Sequence, residues 1–163
     1  MELTTIDILI RLAIALALGG LVGIERTLAG KTAGMRTYAL SAMGSAMFVI
    51  ISVLITAPYI TLSNFDPTRI ASQIIVGIGF IGAGLVFHNN REMRVSGLTS
   101  AAGLWVSAGV GMAAGFGLYN LAIISALLTL VVFTVLWFIE KGVKKFSYAD
   151  DNVEQQTAER LHE

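Results

Sequence analysis

The chain has 163 residues and no formal net charge, with 55% hydrophobic residues, 13% charged residues and a mean hydropathy of +0.76. This composition is typical of an integral membrane protein, because a soluble domain of this size needs far more charge on its surface. The zero net charge argues against nucleic acid as a partner, and the absence of cysteine excludes disulfides and thiolate metal sites.

Apolar segments long enough to cross a bilayer, which takes about twenty residues for a helix, recur along the chain. In chain order they cover residues 6–24, 38–57, 70–87, 98–114 and 118–139. The sequence therefore predicts an all-α fold, a polytopic membrane protein with a bundle of about five transmembrane helices. This helical domain occupies residues 1–141, and a short polar tail follows in residues 142–163.

The basic residues predict the orientation of the bundle. Those of the first and third connections and of the segment after the fifth span all fall on one side, namely Arg26, Lys31, Arg36, Arg91, Arg94, Lys141, Lys144 and Lys145. Lys and Arg are enriched in cytoplasmic loops. We therefore expect the N-terminus outside and the C-terminus in the cytoplasm, with membrane lipid around the bundle.

Small residues mark three of the predicted spans. The stretch GIGFIGAG has the G-x-G-x-x-G spacing of a dinucleotide-binding turn, but it lies inside an apolar run with no acidic residue about twenty positions later, so the match is accidental. In lipid, small residues instead let helices approach closely. The helix-packing candidates are Gly19, Gly23, Gly77, Gly79, Gly82, Gly84, Gly103, Ser107 and Gly111.

From these positions we expect spans one, three and four to form a tight inner bundle. The fifth span is bulky and nearly free of glycine, which favours a position facing lipid. Trp105 lies at mid-depth in the fourth span, so we expect it to pack inside the bundle or at a subunit interface.

Charged and polar side chains inside a membrane are candidates for function. Asp7 and Arg11 are one helical turn apart near the outer interface, and we expect them to form a neutralising ion pair. Asp66 precedes the third span as a candidate cap, and Arg69 and Gln73 then share one face of that span. This group is either the start of a well-capped helix or a polar vestibule for an ion or a partner's side chain.

The first connection, ERTLAGKTAGMRT, mixes charges of both signs. Glu25, Arg26, Lys31 and Arg36 are expected to form ion pairs or to contact anionic lipid in preference to forming a binding site. No Asp, Glu or His lies near the middle of a predicted span, which weakens a proton relay or a carboxylate cage for Mg²⁺. No base accompanies a serine at the same depth, so we expect neither an enzyme nor a cofactor, and the residues leave the question of a metal open.

Five motifs in order, GGLVGIER, AGMRT, GSAMF, DPTRIASQIIVGIGFIGAGLVF and GLTSAAGLWVSAGVGMAAGFGLY, resemble the membrane domain of the MgtC/SapB family of bacterial inner-membrane proteins. The resemblance runs from residue 11 to about residue 141. It implies an inner-membrane protein with a cytoplasmic C-terminus. It also implies a virulence or stress factor for growth at low Mg²⁺, linked to inhibition of the F-type ATP synthase. The motif positions include Glu25, Arg26, Arg36, Asp66, Arg69, Gln73, Thr99 and Trp105.

The sequence departs from the MgtC branch of this family at its C-terminal end. That branch carries a cytoplasmic ACT-like domain, whereas this sequence ends after the polar tail YADDNVEQQTAERLHE, as in a short member or a truncated chain. A regulatory function that depends on that domain is therefore not implied.

Two functional hypotheses follow. The first is a non-enzymatic membrane protein that acts by helix–helix binding to itself, as a dimer or larger homo-oligomer, and to another inner-membrane protein such as the F-type ATP synthase. The alternative is an oligomeric transporter or channel for Mg²⁺ or another cation, whose pathway runs beside glycine-rich helices.

Overall fold

The computed structural model describes residues 3–57, 68–89 and 94–143. In chain order the elements are α1 (Thr5–Leu28), α2 (Met35–Thr56), α3 (Thr68–Ala83), β1 (Phe87–Asn89), β2 (Arg94–Ser96), α4 (Leu98–Gly115) and α5 (Tyr119–Val131). The predicted all-α membrane bundle is confirmed. The strands add one short antiparallel hairpin, in which Phe87 pairs with Ser96.

Four helical stretches are long and apolar enough to cross a membrane: α1, α2, α4 and Tyr119–Val143. The exception is α3, whose 16 residues span about 24 Å at 1.5 Å per residue, less than the roughly 30 Å of a hydrocarbon core. The prediction that the third span continues to residue 87 is wrong. The helix ends at Ala83, and Phe87 belongs to β1, so the apolar run LVF that resembled helix leads into a strand.

The core of the bundle consists of α1, α2 and α4, with α2 between the other two. A methyl group added at Gly19 of α1 would lie 2.6 Å from the Ala42 β-carbon, and one added at Gly111 of α4 would overlap the Ala42 carbonyl oxygen. Similarly, a methyl group at Gly23 would lie 2.7 Å from the Met35 α-carbon. The glycines of α1 and α4 therefore bring both helices against the backbone of α2.

The prediction that spans one, three and four form the inner bundle is thus wrong, because α2 occupies the position expected for α3. The buried side of α2 repeats at alternating intervals of four and three residues, the spacing of one helix face. Its members include Tyr38, Ala42, Ser45, Val49, Ser52 and Thr56. All of these residues except Val49 are small or carry a hydroxyl group, so α2 forms close contacts without using its own glycine, Gly44, where an added methyl group would meet no atom within 4 Å.

Contacts divide the chain into a unit of residues 1–129 and a second unit of residues 130–163. The second unit begins as helix and includes the π-helical turn Val132–Leu136, beside which the Thr134 hydroxyl donates a hydrogen bond of 2.7 Å to the Leu130 carbonyl. Near its end, the Lys141 ammonium lies 5.2 Å from the centre of the Trp137 ring, a combination typical of a membrane–water interface. Residues 144–163, most of the predicted polar tail, lie outside the described residues.

Candidate functional site

At one end of the bundle, called here the Arg26 end, α1 finishes and α2 and α4 begin. Arg26 is only 3% exposed, and its Nε donates to the carboxylate of Glu25, whose side chain is 19% exposed. A buried guanidinium needs such a partner, because removing an unpaired charge from water is costly. The structure therefore assigns Glu25 and Arg26 to an ion pair, whereas Arg36 and Lys31 are exposed.

Tyr38 joins α2 to α4 at the same end. Its side chain is completely buried, and its hydroxyl donates a hydrogen bond of 2.9 Å to the Ser100 carbonyl. In return, the Ser107 hydroxyl donates a bond of 3.0 Å to the Tyr38 carbonyl. This role was not predicted from the sequence, although a tyrosine four residues before Ala42 continues the buried face of α2.

Thr27 fixes the turn between α1 and α2. Its hydroxyl donates to the Gly23 carbonyl at 3.1 Å and accepts a bond of 2.9 Å from the Met35 N–H. Since Gly34, the residue that caps α2, has no side chain to accept this bond, Thr27 serves as the cap of the next helix.

At the opposite end, called here the Arg11 end, the structure corrects the predicted ion pair. The Asp7 carboxylate accepts bonds from the Thr4 N–H, at 3.0 Å, and from the Thr4 hydroxyl, at 2.7 Å, and so completes the capping box of Thr4, the residue that caps α1. Arg11 instead donates to the Gly115 carbonyl at 2.7 Å. Carbonyls at a helix C-terminus lack partners within the helix, and the partly buried Arg11 supplies one to α4.

A groove between α2 and α3 contains the predicted polar residue Gln73. This α2–α3 groove has a volume of about 420 Å³ and is lined by Leu40, Ser41, Gly44, Ser45, Phe48, Ile70, Gln73, Ile74, Gly77, Ile78 and Ile81. Gln73 is exposed, and the Ser41 hydroxyl oxygen is buried without a hydrogen-bond partner. Neither Gly44 nor Gly77 would bring an added methyl group within 4 Å of another atom.

The predicted packing glycines fall into two groups. Gly19, Gly23, Gly103 and Gly111, together with Ser107, are buried in the core. Those of α3 mostly face open space. A methyl group added at Gly77 or Gly79 would meet no atom within 4 Å, whereas one added at Gly82 would lie 3.7 Å from the Ala101 β-carbon and one at Gly84 would lie 3.3 Å from the Ile81 carbonyl oxygen. Phe80, on the same helix, is 84% exposed.

Trp105 is 51% exposed, so the expectation that it packs inside the bundle is wrong, and its place at a subunit interface remains a prediction. It lines a smaller groove of about 240 Å³ together with Ile75, Ile78 and Leu121. Both this groove and the α2–α3 groove open on the outer surface of the bundle.

The remaining candidates do not converge on one site. Arg69 and Thr99 are exposed, and Asp66 lies outside the described residues, as does its predicted capping of α3. Within residues 3–57, 68–89 and 94–143, no three His, Asp or Glu side chains are grouped to hold a metal ion. The geometry therefore provides a closely packed three-helix core and an exposed, glycine-bearing α3.

The fold and these exposed apolar helices define a polytopic α-helical membrane protein. The chain belongs to the MgtC family, whose model matches residues 12–142. It is 44% identical over 133 residues to "Putative magnesium transporter YhiD" of Escherichia coli K12, an alignment that covers 80% of this chain and 61% of the relative. It is 42% identical over 125 residues to "Protein MgtC" of Brucella abortus, covering 77% of this chain and 49% of the relative.

An uncharacterized protein of Synechocystis is 43% identical over 123 residues, covering 76% of this chain and 49% of the relative. The chain thus spans between about half and three fifths of the length of these relatives. No solved structure matches the chain.

Proposed function

We propose that this protein is a non-enzymatic membrane protein that acts by helix–helix binding through α3, to a second copy of itself and to another membrane protein. The observation that carries the proposal is the free glycine surface of α3. A methyl group added at Gly77 or Gly79 would meet no other part of the bundle within 4 Å, and Val76 and Phe80 are 68% and 84% exposed. In lipid, close approach at small residues is a main source of helix association.

Helix length supports the same proposal. Because the described helix Thr68–Ala83 is shorter than the hydrocarbon core, it is accommodated by local thinning of the bilayer, by flanking side chains that reach the interface, or by association. Of these, association with a partner helix also covers the exposed side of α3, which lies outside the core of α1, α2 and α4.

The setting of this activity is also part of the proposal. We place the protein in a bacterial inner membrane with the Arg26 end in the cytoplasm, because that end collects the basic first connection and β2, which begins at Arg94. The activity proposed is regulatory and serves adaptation to stress such as low magnesium. The second partner is an inner-membrane protein, for which the family resemblance suggests the F-type ATP synthase.

Single-cysteine crosslinking tests the proposal directly, because the natural chain has no cysteine. Phe80→Cys on α3 is expected to form disulfide-linked dimers in native membranes, and Leu128→Cys, on α5 and 60% exposed, is the control. Adding Gly79→Leu should reduce the Phe80→Cys dimer strongly. Equal crosslinking of the two single-cysteine variants, or a dimer that Gly79→Leu leaves unchanged, would refute binding through α3.

Cation transport is a second candidate, favoured by the name of the Escherichia coli relative, which calls it a putative magnesium transporter. Under this transport hypothesis, Asp66 and Arg69 border a cation pathway beside α3. Asp66→Asn or Arg69→Ala then stops cation movement and leaves the fold intact, whereas the binding proposal expects neither variant to change a flux.

A further inference from the structure

The α2–α3 groove combines an apolar wall with polar groups that have no hydrogen-bond partner among the described residues. The Ser41 hydroxyl oxygen is buried and unbonded. One turn along α2, Ser45 is 5% exposed, and no hydrogen bond joins its hydroxyl to the part of the chain that the structure describes. Across the groove, the Gln73 carboxamide is exposed. Inside a bilayer no water is available to form hydrogen bonds with such groups. The groove therefore favours an occupant that can donate or accept hydrogen bonds.

The walls of the groove favour a helix as that occupant. Gly44 on α2 and Gly77 on α3 both lie in the lining, and a methyl group at either position would meet no atom within 4 Å. A glycine on each wall lets another backbone approach closely, which helix packing requires and a flexible acyl chain does not.

The groove is complementary to α3 itself. A carboxamide both donates and accepts hydrogen bonds, and a serine hydroxyl does the same, so Gln73 can pair with Ser41 or Ser45. Since all three line one groove, they lie within a common range of depths. A two-fold axis along the membrane normal preserves depth in both copies and makes each contact twice.

We propose that α3 of one copy docks in the α2–α3 groove of a second copy, and that Gln73 of each copy hydrogen-bonds to Ser41 or Ser45 of the other. This inference rests on the proposed self-association and specifies its surface and its polar contact. The partner copy completes the groove, because its Gln73 carboxamide supplies a hydrogen-bond partner for the buried Ser41 hydroxyl.

The first test locates the contact. Two differently tagged copies are expressed together, one with Leu40→Cys on the α2 wall, where Leu40 is 62% exposed, and one with Phe80→Cys on α3. We expect a disulfide that joins the two tags. Replacing Leu40→Cys by Leu128→Cys is the matched control and should give no mixed dimer.

The second test measures dimerisation in detergent or lipid for Gln73→Leu, for Ser41→Ala with Ser45→Ala, and for the combined variant. One interhelical hydrogen bond in a membrane corresponds to about a threefold to tenfold change in association. Because the two-fold axis makes the contact twice, each change should weaken dimerisation by about tenfold to a hundredfold. The combined variant should dimerise as well as whichever of the two separate changes weakens dimerisation more. Ser72→Ala is the control, because the Ser72 hydroxyl already donates to the Arg69 carbonyl at 2.7 Å.

The outcomes separate this inference from the proposed function. Dimers linked through Phe80→Cys alone, without the mixed Leu40–Phe80 product, would leave binding through α3 intact and overturn docking in the groove. If the effects of Gln73→Leu and of the two serine substitutions on the free energy of dimerisation add in the combined variant, the hydrogen bond between copies is refuted. A protein without any α3 crosslink would refute the proposed function together with this inference.

Discussion

Adding a single methyl group at Gly111 should destabilise the bundle. A β-carbon there would overlap the carbonyl oxygen of Ala42 and lie 2.6 Å from its carbonyl carbon, so either α4 or α2 must be displaced. Displacement of α2 is blocked, because Gly19 of α1 packs against the opposite side of Ala42, where an added methyl group would lie 2.6 Å from the Ala42 β-carbon. Overpacking of a core costs about 1–3 kcal/mol, and we expect Gly111→Ala to reach the upper part of that range.

Gly109→Ala is the matched control on the same helix, since a methyl group there meets no atom within 4 Å. Replacing glycine by alanine in a helix favours the helix by roughly 0.5–1 kcal/mol, so this variant should be as stable as the natural protein or slightly more stable. The assay is unfolding in mixed detergent micelles followed by circular dichroism. Equal stability of the two variants would refute the close contact of α4 with α2.

Three further substitutions test individual hydrogen bonds by the same assay. Arg11→Leu removes the bond to the Gly115 carbonyl and should lower the free energy of unfolding by about 1–2 kcal/mol. Arg69→Ala, at an exposed position, is the control and should leave the free energy of unfolding unchanged; equal losses in the two variants would contradict capping by Arg11. Thr27→Val removes the acceptor for the Met35 N–H and should cost about 1 kcal/mol, whereas Thr27→Ser should restore stability. Tyr38→Phe removes the hydroxyl bonded to the Ser100 carbonyl and should cost about 1 kcal/mol; no loss would contradict that bond.

The apolar lengths and the small residues allowed much of the fold to be predicted from the sequence. They indicated the helices, and the periodic Gly103, Ser107 and Gly111 correctly indicated the buried face of α4. They failed for α2 and α3, because glycine content alone does not show which small residues meet a neighbour. Ala42 leaves no room for a methyl group at Gly19 or Gly111, whereas a methyl group at Gly77 or Gly79 would meet no atom within 4 Å.

The polar sites were less predictable, because they depend on which helix ends come together. Arg11 was matched with Asp7 by their spacing along α1, but its partner is the carbonyl of Gly115, 104 residues away. Sequence spacing identifies contacts within a helix. The pairing of Tyr38 with Ser100 and Ser107 requires α2 and α4 to be neighbours, which no local pattern shows.

Mg²⁺ flux into liposomes that contain the purified protein is the most direct test of whether the protein acts by binding or by transport. The measurement is made on protein whose α3 dimer has first been verified by the Phe80→Cys crosslink. The binding account predicts Mg²⁺ entry no faster than into empty liposomes, with Na⁺, K⁺ and H⁺ behaving in the same way. Entry above that rate that disappears in Asp66→Asn or Arg69→Ala would contradict the account and identify the protein as a cation transporter.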